Sequence, residues 1–115
     1  ASEKPVAAYV LDLVGDARLR IDPPSDSPRD LLGELYSAAE AAGERRIFGL
    51  HPTPITDDHV PLNAAGIPAL DVIDADYISR GRWHTAADNL GSVKPESLEK
   101  IGRVVLELLT RRFGA

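Results

Sequence analysis

The feature that most constrains the fold is a nearly continuous apolar run near the start of the chain, from Pro5 to Gly15. A strand with one face in water alternates apolar and polar residues, whereas a run of this kind predicts a strand covered on both faces in a parallel or mixed sheet. Ile67 to Ile73 predicts a second buried strand. The chain is therefore expected to build a sheet with helices packed on it.

Helices are predicted between and after these strands. Ser27 is a candidate N-cap with Pro28 at the first helical position, and the helix that follows should end at Gly43. Asp57-Asp58-His59 leads into a short helix that stops at Gly66. Pro95 opens the last helix, whose predicted apolar face consists of Leu98, Ile101, Val105, Leu108 and Leu109. A short strand is also expected at Arg46–Leu50.

This order of elements predicts an α/β fold, a three-layer sandwich with a mostly parallel or mixed sheet. The chain has 115 residues, near the usual size of one domain, so we expect a single domain over residues 1–115. The first residues carry neither an initiator Met nor a signal-like apolar segment. We therefore expect a processed or excised chain.

Charge and composition exclude several classes of partner. The net charge is -5, and the basic residues form only short pairs such as Arg45-Arg46, so nucleic acid is not expected as a partner. The apolar runs are too short to span a bilayer, so no membrane is expected either. The chain has no cysteine and hence no disulfide or thiolate metal site, which leaves the compartment open. We favour a periplasmic or secreted location over the cytoplasm.

Several carboxylates lie where chemistry could occur. Asp12 falls at the C-terminal end of its strand, the edge where ligands of α/β sheets bind, although it could equally cap the following turn. Asp57 and Asp58 precede a helix, and taken alone they fit an N-cap and a first-turn carboxylate better than a site. His59 could simply pack beside them. Asp71, inside an apolar strand, must either face solvent or have a partner in the core.

Asp74 to Lys94 forms a long loop, and long loops in compact domains are often functional. The dipeptide Trp83-His84 places a potential metal ligand in it. One histidine cannot hold a metal alone, so carboxylates would have to contribute; carboxylate oxygen and imidazole nitrogen are a normal zinc donor set. Asp74 and Asp76 of the same loop are expected to be solvated. The chain has no Gly-rich phosphate loop, nucleophile elbow or cysteine nucleophile.

Three blocks together resemble the C-terminal part of the M28 zinc aminopeptidase family and of the related glutaminyl cyclases. Their order and spacing cover nearly the whole chain. They are Val10–Asp16, Thr56–Leu62 with Ala65–Pro68, and Trp83–Asn89 continuing into Ser97–Glu99.

This resemblance implies roles for individual residues. His84 resembles a zinc ligand. Asp12 resembles the strand-end aspartate, which holds the second metal in a two-metal aminopeptidase and belongs to a hydrogen-bonded acid network in a one-metal cyclase. Asp57 resembles an acidic residue of that network and is counted with Asp12 as catalytic. Trp83 is expected near the substrate pocket, together with Asp76 and Tyr77.

The resemblance also implies an incomplete site, because the family's bridging aspartate, ligand glutamate and catalytic glutamate come from a half that precedes the strand at Val6. We therefore expect the C-terminal half of an M28-type catalytic domain, inactive by itself, from a parent that binds zinc and acts on peptide N-termini. Aminopeptidase is the first expectation and glutaminyl cyclase the alternative. A further alternative is a non-catalytic module that self-associates through an open sheet edge, the edge on which the missing half would otherwise pack.

Overall fold

Two parallel strands form the centre of the fold. The structure is a computed structural model that describes residues 5–76, 91 and 93–113. Strand β1 (Ala8–Asp12) pairs with strand β2 (Ala69–Ile73), with Ala8 opposite Ala69 and Asp12 opposite Ile73. All of β2 is buried, as its apolar run predicts, whereas β1 is mostly half-buried and Leu11 is 47% exposed.

Three α-helices accompany the strands in the described part of the chain. They are α1 (Arg29–Ala41), α2 (His59–Ala64) and α3 (Pro95–Phe113), and a short 3₁₀ helix spans Arg45–Ile47. Helix α1 packs against α3 and β2, while α2 packs on both strands. The expected α/β fold is therefore confirmed, here with a sheet of two parallel strands.

The core lies between α1, α3 and β2. Leu31 and Leu35 of α1, Leu70 of β2 and Ile101 of α3 are at most 3% exposed and belong to one apolar cluster. At the edge of this core the Glu34 carboxylate ties α1 to β1 and α3, because it accepts hydrogen bonds from the Tyr9 hydroxyl and the Arg112 guanidinium.

Three local predictions were wrong. Ser27 does not cap α1: its hydroxyl donates to the Pro24 carbonyl, and Pro28 occupies the N-cap position without a side-chain cap. The segment expected as a strand at Arg46–Leu50 begins with the last two residues of the 3₁₀ helix, which are followed by a single parallel bridge between Phe48 and Ile21. On α3 the buried face contains Val104, whereas Leu98 and Leu109 are 47% and 43% exposed, because α1 covers a narrower stripe than the apolar pattern suggested.

Among the described residues, none of the helices has the length and apolar character needed to cross a membrane.

Candidate functional site

The candidate site lies at the edge of the sheet where both strands end. Since β1 and β2 run parallel, their C-terminal ends meet at the same edge. Asp12 is the last residue of β1, as predicted, and Leu13 after it has a φ of 58°, which is uncommon for a residue with a side chain. This turn lets the Leu13 backbone N–H donate a hydrogen bond to the Asp12 carboxyl.

Helix α2 brings Asp57 to the same edge. Asn63, on α2, both donates to and accepts from the backbone of Ala69, at 3.1 and 2.9 Å, and so ties the helix to the start of β2. Asp57 lies two residues before α2 and its carboxyl hydrogen-bonds that of Asp12. Of the two residues expected to cap α2, Asp58 occupies the N-cap position. Its side chain makes no capping hydrogen bond, so the expectation is confirmed only in part.

The electrostatics of this pair are asymmetric. Burial, followed by the hydrogen bond and the negative charge of Asp57, raises the pKa of Asp12 to about 6. Burial also acts to raise the pKa of Asp57, but hydrogen bonds from the Asp58 backbone and from Asp71 and Asp12 outweigh it, so the pKa is lowered. Asp57 is thus the ionised carboxyl of the pair, and Asp12 is the one that binds a proton more readily.

Asp71 and His59 extend the group into the interior. Asp71 lies in the middle of β2 and is 1% exposed, and His59 at the start of α2 is 5% exposed. One ligand atom from each of Asp57, His59 and Asp71 lies within 4.8 Å of the others, and His59 Nδ1 is 3.4 Å from Asp71 Oδ2. Burial, followed by the hydrogen bond and charge of Asp57, raises the pKa of Asp71 to about 8.

The contact between Asp57 and Asp71 requires a proton. Within the described residues, no nitrogen or hydroxyl group makes a hydrogen bond to either Asp71 oxygen or to Asp57 Oδ2, all of which are buried, although His59 Nδ1 lies 3.4 Å from Asp71 Oδ2. Two carboxylates only accept hydrogen bonds, so they can bond each other only if one is protonated. The raised pKa of Asp71 and the lowered pKa of Asp57 place that proton on Asp71.

The same group offers oxygen and nitrogen donors of the kinds that bind zinc. A structural zinc site needs four ligands, but this group has three members among the described residues. A catalytic zinc needs an open position for water or substrate, yet Asp71 and His59 are almost completely buried. This interior group therefore fits a shared proton better than a zinc ion.

The other predicted site residues fall partly outside the described residues. Tyr77, Trp83 and His84 all lie outside them. Asp76 is exposed, as expected, and lines a groove with Arg20 and Lys100. Asp74, expected to be solvated, is instead fully buried and accepts a hydrogen bond from the Arg20 backbone N–H, so that expectation was wrong.

Sequence reasoning did not include Asp71 or His59 in the site. The sequence did contain a signal for Asp71, because a carboxyl inside a continuous apolar strand must either face solvent or contact a partner in the interior. In the structure its partners are Asp57 and His59. No comparable signal existed for His59, because a histidine in the first turn of a short helix packs in many ways.

Comparison with known proteins identifies the family. The model of peptidase family M28 matches residues 2–109. The chain belongs to peptidase family M28. The expected resemblance to the M28 family is thereby confirmed.

The M28 chain is similar to both enzyme types. A glutaminyl cyclase from an Acidobacteriales bacterium shares 34% identity and superposes with a TM-score of 0.85 over 91% of this chain and 38% of its own. A Zn-dependent exopeptidase from Parabacteroides distasonis ATCC 8503 shares 26% identity, with a TM-score of 0.81 over 93% of this chain and 40% of its own. A glutaminyl-peptide cyclotransferase-like protein from Mus musculus is 30% identical over 66 residues, 57% of this chain and 17% of that protein.

The M28 chain therefore spans less than half of the length of these relatives.

Proposed function

We propose that this chain forms part of a glutaminyl cyclase-like enzyme, which converts an N-terminal glutamine of a peptide to pyroglutamate. The observation that carries the proposal is that Asp12 and Asp57 lie together at the C-terminal edge of the sheet, where each carboxyl shifts the pKa of the other. A strand-end aspartate that holds a second metal in an aminopeptidase must be ionised and free to bind it. An Asp12 whose pKa is raised by the neighbouring Asp57 anion suits an acid network instead.

The reaction is an intramolecular acyl transfer. The α-amine nitrogen of the substrate attacks the side-chain amide carbon, a carbon–nitrogen bond forms, and the amide nitrogen leaves as ammonia. One proton must move from the attacking nitrogen to the leaving nitrogen. A carboxyl whose pKa lies near 6 can take up and return a proton close to neutral pH, and Asp12 has such a pKa.

The two carboxyls have different tasks in this proposal. Asp57 remains ionised, and its negative charge raises the pKa of Asp12, so that Asp12 can hold and transfer a proton. The Leu13 backbone N–H fixes the Asp12 carboxyl at the end of β1. Zinc, when bound, would polarise the amide carbonyl and stabilise negative charge on its oxygen, and His84 is the residue of this chain that would hold it.

Aminopeptidase activity was the first expectation from the sequence, and it is the second candidate here. The similarity to a Zn-dependent exopeptidase supports it. The two reactions act on the same end of a peptide and differ in their products: hydrolysis releases the N-terminal residue, whereas cyclisation releases ammonia and leaves the peptide whole. Product analysis therefore separates them.

The test uses the protein expressed from its complete reading frame, loaded with zinc, and a peptide that begins with glutamine. We expect mass spectrometry to detect the peptide minus ammonia, at a rate reduced by about 10²-fold or more in Asp57→Asn. The kcat/KM profile should have a limb near pH 6, as set by Asp12, and Asp57→Asn should move that limb to lower pH because a negative charge is lost.

Asp58→Asn is the matched control, since it removes the same charge from the adjacent, exposed residue. It should retain most of the activity. Release of free glutamine without a cyclised product would contradict the cyclase proposal in favour of the aminopeptidase, and equal losses in the Asp57 and Asp58 variants would contradict the role of Asp57.

A further inference from the structure

We propose that a cationic groove beside the candidate site binds acidic side chains of the peptide substrate, so that the enzyme prefers peptides with aspartate or glutamate a few residues after the N-terminal glutamine. The groove has a volume of about 520 Å³, and the described residues that line it include Arg18, Arg20 and Lys100. The inference rests on the proposed function, because a peptide must react at the neighbouring site.

The groove lies near the edge of the sheet where Asp12 ends β1. Its lining includes Asp76, two residues after Asp74, and the Asp74 backbone N–H donates to the Asp12 carbonyl at 3.3 Å. Because consecutive Cα atoms are about 3.8 Å apart, the backbone of Asp76 lies within about 15 Å of that of Asp12. An extended peptide advances about 3.3 Å per residue, so about the fourth or fifth residue of a peptide bound at the site can reach the groove.

Two cations of the groove are available to an anionic ligand. Arg18 is exposed and Lys100 is half-buried, and among the described residues neither side chain has a hydrogen-bond or ion-pair partner. Arg20 differs from them, because its Nε donates to Asp22 Oδ1 at 3.1 Å and it also donates to the Arg46 carbonyl at 3.4 Å. The charge of Arg20 therefore offsets that of Asp22 within the groove.

The balance of charge in the groove is opposite to that of the chain. The chain has a net charge of -5, whereas the described lining residues carry more cationic side chains than carboxylates, which are Asp22 and Asp76. With Asp22 offset, Arg18 and Lys100 outnumber the one remaining carboxylate. A guanidinium forms paired, charge-assisted hydrogen bonds with a carboxylate, so an aspartate or glutamate side chain is the substrate group that fits this groove.

The fold holds Arg18 and Lys100 on elements that are tied together. The Arg18 backbone N–H donates to Asp16 Oδ2 at 3.1 Å, and the Ser97 hydroxyl donates to the Asp16 backbone carbonyl at 2.6 Å. These bonds fasten the turn after β1 to the first part of α3. Lys100 follows Ser97 by three residues, a spacing that places both on the same face of the helix. The two cations therefore belong to one site although they are far apart in the sequence.

Peptide pairs test this preference in the zinc-loaded protein from the complete reading frame. Both peptides begin with glutamine, and they differ only in having glutamates or lysines at the fourth and fifth positions. We expect kcat/KM to be about fivefold higher for the glutamate peptide, mainly through KM, and the ratio to fall toward one in about 0.5 M salt. Arg18→Glu should reverse the preference, and Lys100→Gln should reduce it without reversal.

Arg111→Glu is the matched control. It makes the same change of charge at an exposed position of α3, and fourteen helical residues place it about 20 Å from Ser97. We expect this variant to keep the preference of the unsubstituted protein. A preference that Arg18→Glu and Arg111→Glu alter equally would reflect the overall charge of the protein and would overturn the groove as its cause.

A binding measurement separates this inference from the proposed function. Fluorescence anisotropy of the same peptides, labelled at the C-terminus and already bearing pyroglutamate at the N-terminus, reports affinity without turnover. If no peptide is cyclised but the glutamate peptide binds more tightly and Arg18→Glu reverses this order, the proposed function falls while the groove stands. Equal kcat/KM values together with equal affinities for the two peptides would overturn the groove, even if both are cyclised.

Discussion

Replacement of Asp71 by asparagine should change how the stability of the protein depends on pH. The pKa of Asp71 is raised from 3.8 to about 8 in the folded protein. Between these values the folded state keeps a proton that the unfolded chain releases, so this group stabilises the fold at low pH, and the contribution is lost as pH rises. The slope is about 1.4 kcal/mol per pH unit, or about 3 kcal/mol between about pH 5 and about pH 7. Asp71→Asn has no such slope.

Urea unfolding, followed by far-UV circular dichroism at several pH values, measures this difference. We expect the stability of Asp71→Asn relative to the unsubstituted protein to increase by about 3 kcal/mol from about pH 5 to about pH 7. Asp12 titrates with a raised pKa in both proteins, so its own slope largely cancels. Asp58→Asn makes the same substitution at an exposed position and is the control variant. A difference between Asp71→Asn and the unsubstituted protein that stays constant with pH would refute the neutral buried carboxyl.

Two further predictions concern the elements around the site. Asn63→Ala removes two hydrogen bonds between α2 and the Ala69 backbone, so the free energy of unfolding should fall by about 1–3 kcal/mol in urea denaturation, and a loss below about 0.5 kcal/mol would contradict the tether. The β1 edge beside the exposed Leu11 is proposed to associate with a second copy, so light scattering of the 115-residue chain should detect a dimer that Leu11→Lys weakens. A monomer over a wide concentration range would contradict this proposal.

Much of the fold could be predicted from the apolar patterns. The continuous runs before Gly15 and before Asp74 predicted two buried strands; both strands are found, each shorter than its run, but only β2 is buried. Errors arose where local signals competed with tertiary contacts. Ser27 is a residue type that often caps helices, yet its hydroxyl donates a hydrogen bond to the Pro24 carbonyl instead. Several leucines of α3 are exposed to solvent, because only part of the apolar surface of this helix packs against α1.

The site could be predicted only in part. Asp12 was recognised from its place at a strand end, and Asp57 from the resemblance of its surrounding block. The partners of Asp71 could not be predicted from the sequence, because they depend on α2 packing on β2 and bringing Asp57 and His59 against it. A pattern along the chain reports which residues share a face, but not which side chains meet across elements.

The central claim is that Asp12 and Asp71 retain protons next to an ionised Asp57, and ¹³C NMR of the aspartate carboxyl carbons tests it most directly. In a titration from about pH 4 to about pH 9, single Asp→Asn variants assign each resonance. We predict that Asp71 titrates near 8, that Asp12 titrates near 6, and that Asp57 stays ionised throughout. Titration of all three below about pH 5, as for ordinary solvated aspartates, would contradict the account.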